Sequence, residues 1–293
     1  MKKSTNNFLL ETTVNTRLVL RRVKTAITYC FITLVAFLYV APILYMVIGS
    51  FKPDARVLSD GASVLAFLPI EATVQNYRDV FSRIHFMRIL FNSIFITGSI
   101  VMCGLVVNSL AGYALARLSW RGRNLVLSII LALLVIPFES IAVPLFYQMS
   151  FIGWRDSFHV QILPFIGDAF SIYLFYTFFI GIPREVEEAA RLDGAGPWRT
   201  FFTIIIPLSK PVFATVAILT FLMRWGSYLW PLMVTIGETY RPLPVAMAAF
   251  ENQVKLWGDI MAFGVLMTLP VLVLFLFFQR WFIEGVAATG MKK

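Results

Sequence analysis

Three ionisable side chains stand inside stretches of sequence that are otherwise apolar. Glu139 lies within residues 124–147, Asp168 within 159–183, and Arg224 within 211–235. A charge inside an apolar span is costly, so it usually faces a cavity or another charge. If each stretch is a continuous helix that rises about 1.5 Å per residue, the three charges lie at one height, roughly 20 Å from the same end. This spacing predicts a polar site within the spans, where a solute can bind and pass.

Aromatic residues adjoin Arg224 in the stretch RWGSYLWPL, residues 224–232. The candidate path residues are Glu139, Asp168, Arg224, Trp225, Tyr228 and Trp230. We expect Arg224 to pair with Glu139 or Asp168 along this path. Two alternatives stay open: a structural ion pair that contacts no solute, and side chains that reach the interface from the outer ends of the spans.

The sequence carries no pattern typical of an enzyme. No GxxxxGK[ST] stretch occurs, and a P-loop needs those glycines and that lysine to hold phosphates. His85 and His159 lack the spacing of metal ligands, and Cys30 and Cys103 both lie in apolar runs. Two such cysteines support neither a disulfide nor a metal site. We therefore predict a chain that is not an enzyme and holds no metal or cofactor of its own.

The elements that must position these residues are membrane helices. The chain of 293 residues is 59% hydrophobic and 14% charged, whereas about a quarter of residues are charged in a soluble domain. Residues 25–51, 89–116 and 260–279 contain no charged side chain. A helix needs about 20 apolar residues to cross the bilayer core. Together with the three interrupted runs, this predicts an all-α integral membrane protein with six transmembrane helices.

The expected spans run from about 26–50, 90–115, 124–147, 160–181, 211–234 and 260–279. The predicted division is a leader at 1–25, a six-span domain at 26–283 with a cytoplasmic loop at 183–210, and a tail at 284–293.

The net charge of +9 indicates orientation rather than nucleic-acid binding. If the N-terminus is inside, the inner segments hold roughly twice as many Lys and Arg residues as the outer ones, which follows the positive-inside rule. We expect both termini in the cytoplasm, the bilayer as a partner and no nucleic-acid partner.

The segment PREVEEAARLDGAGPWRTFFTIIIP, residues 183–207, separates the fourth and fifth spans. Pro183 and the glutamates after it suit a helix start, and the Asp193–Pro197 stretch suits a break. The first predicted helix has an apolar face of Val186, Ala189, Ala190 and Leu192. The second has a stripe predicted to pack on the bundle, formed by Trp198, Phe201, Phe202, Ile205 and Ile206. The pattern predicts a helix, a sharp turn and a second helix at the cytoplasmic membrane surface.

This segment resembles the EAA loop of ABC importer permeases. The matching residues are Glu188-Ala189-Ala190, Gly194 four positions after Ala190, Ile204, and Ile206-Pro207. The family prefers Leu before the final Pro, so Ile206 is a conservative departure. Further stretches are similar to the carbohydrate-uptake branch, which includes the smaller maltose-importer permease. They are FNS at 91–93, GYALARLSWRGR at 112–123, IAVPLF at 141–146, RWGSYLWPL at 224–232, and MAFGVLMTLP and QRWFIEG near the end.

The resemblance implies a permease subunit of an importer of a sugar or a sugar derivative in a bacterial inner membrane. Its EAA helix docks on a cytoplasmic P-loop ATPase, which is present in two copies and binds the ATP and Mg. The other implied partners are a second homologous permease, which makes a heterodimer, and an extracytoplasmic solute-binding protein that meets the outer segments. The implied ATPase-coupling residues are Glu187, Glu188, Ala189, Ala190, Arg191, Asp193 and Gly194.

One departure bears on the substrate. The family usually has Trp-Asn around 225–226, whereas this chain reads Arg224-Trp225-Gly226. An anionic substrate would explain the arginine. A self-sufficient, ion-coupled secondary transporter is the alternative function, but it leaves 187–207 unexplained. A membrane-embedded enzyme is a third class, for which the sequence offers no cluster of His, Asp and Glu.

Overall fold

The computed structural model describes the backbone of Lys2–Gly290 and the side chains of residues 21–278. The side chains of the predicted leader are therefore described only from Arg21, and the predicted tail at 284–293 lies outside the residues with described side chains. Within the described backbone the chain is helical and contains no strand.

The helices, in chain order, are α1 Lys2–Gly49, α2 Asp54–Ser59, α3 Gln75–Arg83, α4 Phe86–Arg117, α5 Arg123–Leu133, α6 Phe138–Phe151, α7 Phe158–Ile162, α8 Ala169–Ile180, α9 Arg184–Leu192, α10 Pro197–Thr200, α11 Ile206–Leu208, α12 Lys210–Trp225, α13 Leu229–Val234, α14 Leu243–Val254 and α15 Trp257–Gly290. Short 3₁₀ turns cover Val64–Phe67 and Leu163–Phe165, and a π-helical turn covers Phe201–Ile205.

Four stretches are long and apolar enough to cross a membrane: Arg21–Gly49, Phe86–Arg117, Phe158–Ile180 and Trp257–Phe278. Two helix pairs pass the same test only together, and each is bent. The pair α5–α6 bends by 104°, and Pro197–Leu208 bends by 78° against α12. The described chain thus has four candidate spans, or up to six if each bent pair is one span.

The third expected span, at 124–147, is present as the bent helix pair α5 and α6 rather than as one straight helix. Helix α5 ends at Leu133 and α6 begins at Phe138, after Pro137 with extended backbone at ψ 141°. Proline has no N–H to donate and disfavours the helical conformation of the residue before it. The break at Pro137 is therefore local chemistry that apolar length alone does not reveal.

The fourth candidate span is also interrupted, between α7 and α8. Asn108 of α4 holds this interruption: its Nδ2 donates to the carbonyl of Ile166 at 3.1 Å, and its Oδ1 accepts from the N–H of Asp168 at 3.0 Å. The buried amide thus satisfies a donor and an acceptor that the broken helix leaves free.

The described contacts divide the chain into two compact units. The first comprises Met1–Tyr77 with Leu256–Val265. In it, buried Lys52 donates to Asp60 at 3.0 Å and to the Leu65 carbonyl, and Asn76 donates to the carbonyls of Ser50 and Lys52 at 2.8 Å. These bonds hold the segment after α1 in a defined conformation.

The second unit comprises Arg78–Lys255 with Leu266–Lys293 and contains the candidate site residues. One of its apolar clusters joins α4, α8, the π-helical turn and α12 through Tyr113, Phe175, Phe179, Phe201 and Val216. A second cluster surrounds Phe165 and Trp230. Asn92 and Ser93 at the start of α4 bond to the backbone of Thr239, Arg241 and Leu243, which anchors the segment before α14.

Candidate functional site

Helix α9 carries the predicted EAA residues and ends in a glycine turn. Pro183 precedes the helix, and Glu185 and Glu187 lie in its first turn, where the helix dipole favours negative charge. At its end, the N–H of Gly194 bonds to the carbonyl of Arg191, and that of Ala195 to the carbonyl of Ala190. This is a Schellman motif, whose left-handed residue is Gly194 at φ 79°. The predicted helix and sharp turn are therefore present.

The predicted apolar face of α9 is divided between the interior and the surface. Ala190 is buried and Val186 is half-buried, but Ala189 is exposed and Leu192 is 90% exposed. Two of its four residues thus pack inward, and the other two remain open to solvent. Among the coupling candidates, Glu188, Ala189, Arg191, Asp193 and Gly194 are exposed, whereas Glu187 and Ala190 are interior.

The second part of the segment is also only partly packed. Phe201 and Ile205 are buried and Ile206 is half-buried, as the apolar stripe predicted. Trp198 and Phe202 instead stack on each other, with ring centroids 6.2 Å apart, and remain 66% and 55% exposed. The π-helical turn at Phe201–Ile205 changes the helical register within the stripe, which the regular spacing used in the prediction did not allow for.

Sequence reasoning missed the residue that secures α9. Nε of Arg117, at the end of α4, lies 3.1 Å from Oε1 of Glu187, and both side chains are buried. Nη2 of Arg117 donates to the carbonyls of Phe179 and Ile182. Arg117 is one of several arginines near a cytoplasmic turn, so its type and position alone did not single it out.

Each of the three charges within the apolar stretches sits at a helix end. Glu139 is in the first turn of α6, Asp168 is the N-cap of α8, and Arg224 is in the last turn of α12. The helix dipole stabilises a negative charge at the N-terminal end of a helix and a positive charge at its C-terminal end. The expectation of one common height assumed continuous helices, but each of the three stretches is broken at the charge or within a few residues of it.

Arg224 does not form the expected ion pair. Its guanidinium carbon lies 4.2 Å from the centroid of the Phe165 ring, a cation–π contact. Asp168 accepts instead from the N–H and hydroxyl of Ser171, at 2.8 and 2.6 Å, and Glu139 is exposed. Among the described residues, no carboxylate oxygen lies within 4.0 Å of the Arg224 nitrogens.

A small cavity brings Arg224, Trp225 and Trp230 together. Its volume is about 20 Å³, room for about one water molecule, and its polar lining includes Ser93, Thr97 and Gln161. Both tryptophans use their N–H groups structurally: Trp225 donates to the Met267 carbonyl at 3.2 Å, and Trp230 to the Val160 carbonyl at 2.8 Å. Asp168, Glu139 and Tyr228 do not line this cavity. Arg224 is thus the candidate path residue with a charge turned to a cavity.

Comparison with known proteins agrees with this architecture. Residues 104–287 match the family model described as "Binding-protein-dependent transport system inner membrane component". An arabinooligosaccharide transport system permease protein from Halalkalibacterium halodurans is 35% identical over 88% of this chain and 93% of its own length. A trehalose/maltose transport system permease protein from Thermococcus litoralis is 30% identical over 88% and 94%.

A solved structure shares the fold. It is a crystal structure of a bacterial ABC transporter involved in the import of the acidic polysaccharide alginate. The similarity covers 89% of this chain and 97% of that chain, with a TM-score of 0.78 and 25% identity. From its match to the family model and its identity to these permeases over most of its length, this chain belongs to the family of inner membrane components of binding-protein-dependent transport systems.

Proposed function

We propose that this chain forms half of the translocation path of an ATP-driven importer of a sugar or a sugar derivative, and couples that path to a partner ATPase. The observation that carries the proposal is the exposed end of α9, where a polar helix stops at a left-handed glycine within a family whose members serve binding-protein-dependent transport. The chain is a permease subunit rather than an enzyme, and the ATP and Mg are bound by the partner ATPase.

The exposed residues of α9 form the proposed coupling surface, namely Glu188, Ala189, Arg191, Asp193 and Gly194. Small side chains beside a glycine turn permit close approach of another backbone. Among the described residues, no heavy atom beyond the chain neighbours of Gly194 lies within 4 Å of a Cβ built on it. The neighbouring side chains of Leu192 and Trp198 are largely exposed and add apolar contact area. This combination suits the cleft of a cytoplasmic ATPase.

The remaining partners follow from the family and from charge. Many large apolar side chains of α1, α4 and α15 are exposed on the chain alone, which suits lipid and a second permease. The excess of basic residues supports a cytoplasmic position for both termini and α9. The outer segments 52–88 and 236–259 then face an extracytoplasmic solute-binding protein.

Arg224 favours an anionic solute. A half-buried guanidinium beside a cavity that is also lined by a few polar side chains has donors to offer a carboxylate or phosphate. The similar alginate transporter imports an acidic polysaccharide, whereas the two permease relatives are named for neutral oligosaccharides. We therefore place Arg224 on the path of a negatively charged sugar derivative.

The coupling surface is tested by Gly194→Asp in a tagged chain that is gently solubilised from its native membrane. An added side chain would occupy the space where the ATPase approaches, so we expect the P-loop ATPase to be lost and the second permease to remain. Gly153→Asp is the matched control, because Gly153 has nearly the same backbone, φ 75° against 79°, and equally empty surroundings. Mass spectrometry of the co-purified proteins measures the amounts of the ATPase and of the second permease for each variant.

Retention of the ATPase by the Gly194→Asp chain at the wild-type amount would contradict the coupling surface. A wild-type chain that purifies without any ATPase or second permease would contradict the importer itself and favour ion-driven transport by the chain alone.

A further inference from the structure

A buried ion pair connects α4 to the coupling helix α9. Nε of Arg117 lies 3.1 Å from Oε1 of Glu187, and the two side chains are 4% and 7% exposed. Neither atom is aligned for a hydrogen bond, so the contact is electrostatic. Glu187 adjoins Glu188, which is exposed on the proposed ATPase surface. Glu187 thus contacts the interior of the chain, and the next residue, Glu188, faces the proposed ATPase surface.

The same arginine also holds the end of α8. Its Nη2 donates to the carbonyls of Phe179, in the last turn of α8, and Ile182, in the turn before α9. The last carbonyls of a helix lack partners within the helix and carry partial negative charge. Arg117, a residue of α4, therefore contacts α8 through one carbonyl, the turn before α9 through a second carbonyl, and α9 through a carboxylate.

Few other side chains attach α9 to the spans. Of its nine residues, Glu187 and Ala190 are buried and Val186 is half-buried, while the rest are exposed. One turn before Arg117, the Tyr113 ring packs on Phe201 of the following π-helical turn, with centroids 5.0 Å apart. The last turns of α4 therefore contact both halves of the segment that joins α8 to α12.

We propose that the Arg117–Glu187 pair is the positioning contact that transmits displacement of α9 to α4 and α8. Two opposite charges in a dry interior resist separation, because each would be left buried and unpaired. The planar arginine fork serves the carboxylate and both carbonyls together, which the point charge of a lysine does not reproduce. This inference rests on the proposed function, and it adds the path by which motion at the ATPase reaches the spans.

The test compares ATP hydrolysis with solute uptake by the complete complex in proteoliposomes. The main variant is R117Q/E187Q, which removes both charges and so leaves neither one buried alone. We expect it to keep the ATPase and to hydrolyse ATP, with about tenfold less solute imported per ATP hydrolysed, a size typical of coupling between sites. Arg117→Lys keeps the charge but loses the fork, so we expect a smaller loss of the same kind.

Arg121→Gln is the matched control, since Arg121 is an exposed arginine of the turn after α4. We expect its uptake per ATP to equal that of the wild type. The charge exchange R117E/E187R restores the attraction but not the carbonyl contacts, and we expect it to recover part of the coupling lost in R117Q/E187Q.

An R117Q/E187Q complex with a lower melting temperature and the wild-type uptake per ATP would overturn the proposal, because the pair would then serve stability alone. If the neutral pair does not assemble, Arg117→Lys decides in the same way: wild-type coupling overturns the proposal, and reduced coupling supports it. Failure of the wild-type complex to consume ATP during uptake would instead refute the proposed function.

Discussion

Arg224 illustrates how one residue can satisfy a helix end and remain available to a ligand. It lies in the last turn of α12, where the dipole favours a cation, and its guanidinium rests on the Phe165 ring. Neither contact uses the strong directional donors of the guanidinium. Asp168 differs, because its carboxylate already accepts two bonds from Ser171 and acts as a helix cap. The two charges therefore have different roles despite their similar places in the sequence.

Arg224→Gln tests the anionic path at this scale. A hydrogen bond to a charged group contributes about 1.5–3 kcal/mol. We therefore expect the concentration of an anionic sugar derivative that gives half-maximal uptake to rise about 10- to 100-fold. Uptake by the whole complex in cells measures this. Arg155→Gln is the control, because Arg155 also lies over a phenylalanine ring, 5.0 Å from the Phe146 centroid, yet lines no part of the cavity. Unchanged affinity and rate in the Arg224 variant would remove Arg224 from the path.

At the scale of elements, the close crossing of α4 and α8 depends on one missing side chain. A Cβ on Gly112 would lie 2.6 Å from Cβ of Phe175 and 3.0 Å from the backbone nitrogen of Tyr176. Small residues allow membrane helices to approach in this way. Asn108, one turn earlier, bonds to the break before α8. The two residues set the distance and the register of the helices that Arg117 joins at their ends.

Gly112→Ala and Gly98→Ala should therefore change stability in opposite directions. The methyl group on Gly112 forces backbone apart, and we expect a loss of about 1–3 kcal/mol, as for other overpacked cores. On the same helix, a Cβ on Gly98 meets nothing within 4 Å, so alanine there should add up to about 1 kcal/mol through helix propensity. Thermal unfolding of the purified chain in detergent measures both. Equal melting temperatures for the two variants would contradict the tight crossing.

At the scale of the whole molecule, the candidate functional residues all belong to the second unit, Arg78–Lys255 with Leu266–Lys293. The coupling helix, the Arg117 contact, the Arg224 cavity and the anchored segment before α14 are thus built within one compact body. The first unit holds the buried Lys52–Asp60 pair in a segment that we assign to the outer side. We propose the inner and outer sides from the greater number of Lys and Arg residues in the inner segments.

Labelling of single cysteines tests that orientation. Both native cysteines, Cys30 and Cys103, are exposed on the chain alone and lie in candidate spans, so the background is Cys30→Ala with Cys103→Ala. We expect a membrane-impermeant maleimide to label Gln253→Cys in intact spheroplasts, and Ser119→Cys only after permeabilisation. Both positions are exposed. The reverse pattern would invert the topology and place α9 outside the cell.

Membrane residence and the helix and turn within residues 183–207 could be predicted from the sequence alone, because apolar run length and the helix–glycine–helix pattern are local properties. The same holds for the turn at Gly194, since a left-handed residue favours glycine wherever it occurs. What local pattern cannot reveal is which residue contacts which across about sixty positions of the chain. Arg117 reaches Ile182, Asn108 reaches Asp168, and Arg224 turns to Phe165 rather than to a carboxylate.

The packing of the helices against one another decides these contacts, because residue type alone does not select the partner. It also decides that Glu187 is interior while Glu188 is exposed, because neighbouring residues of a helix point about 100° apart and only the tertiary neighbours say which direction is inward.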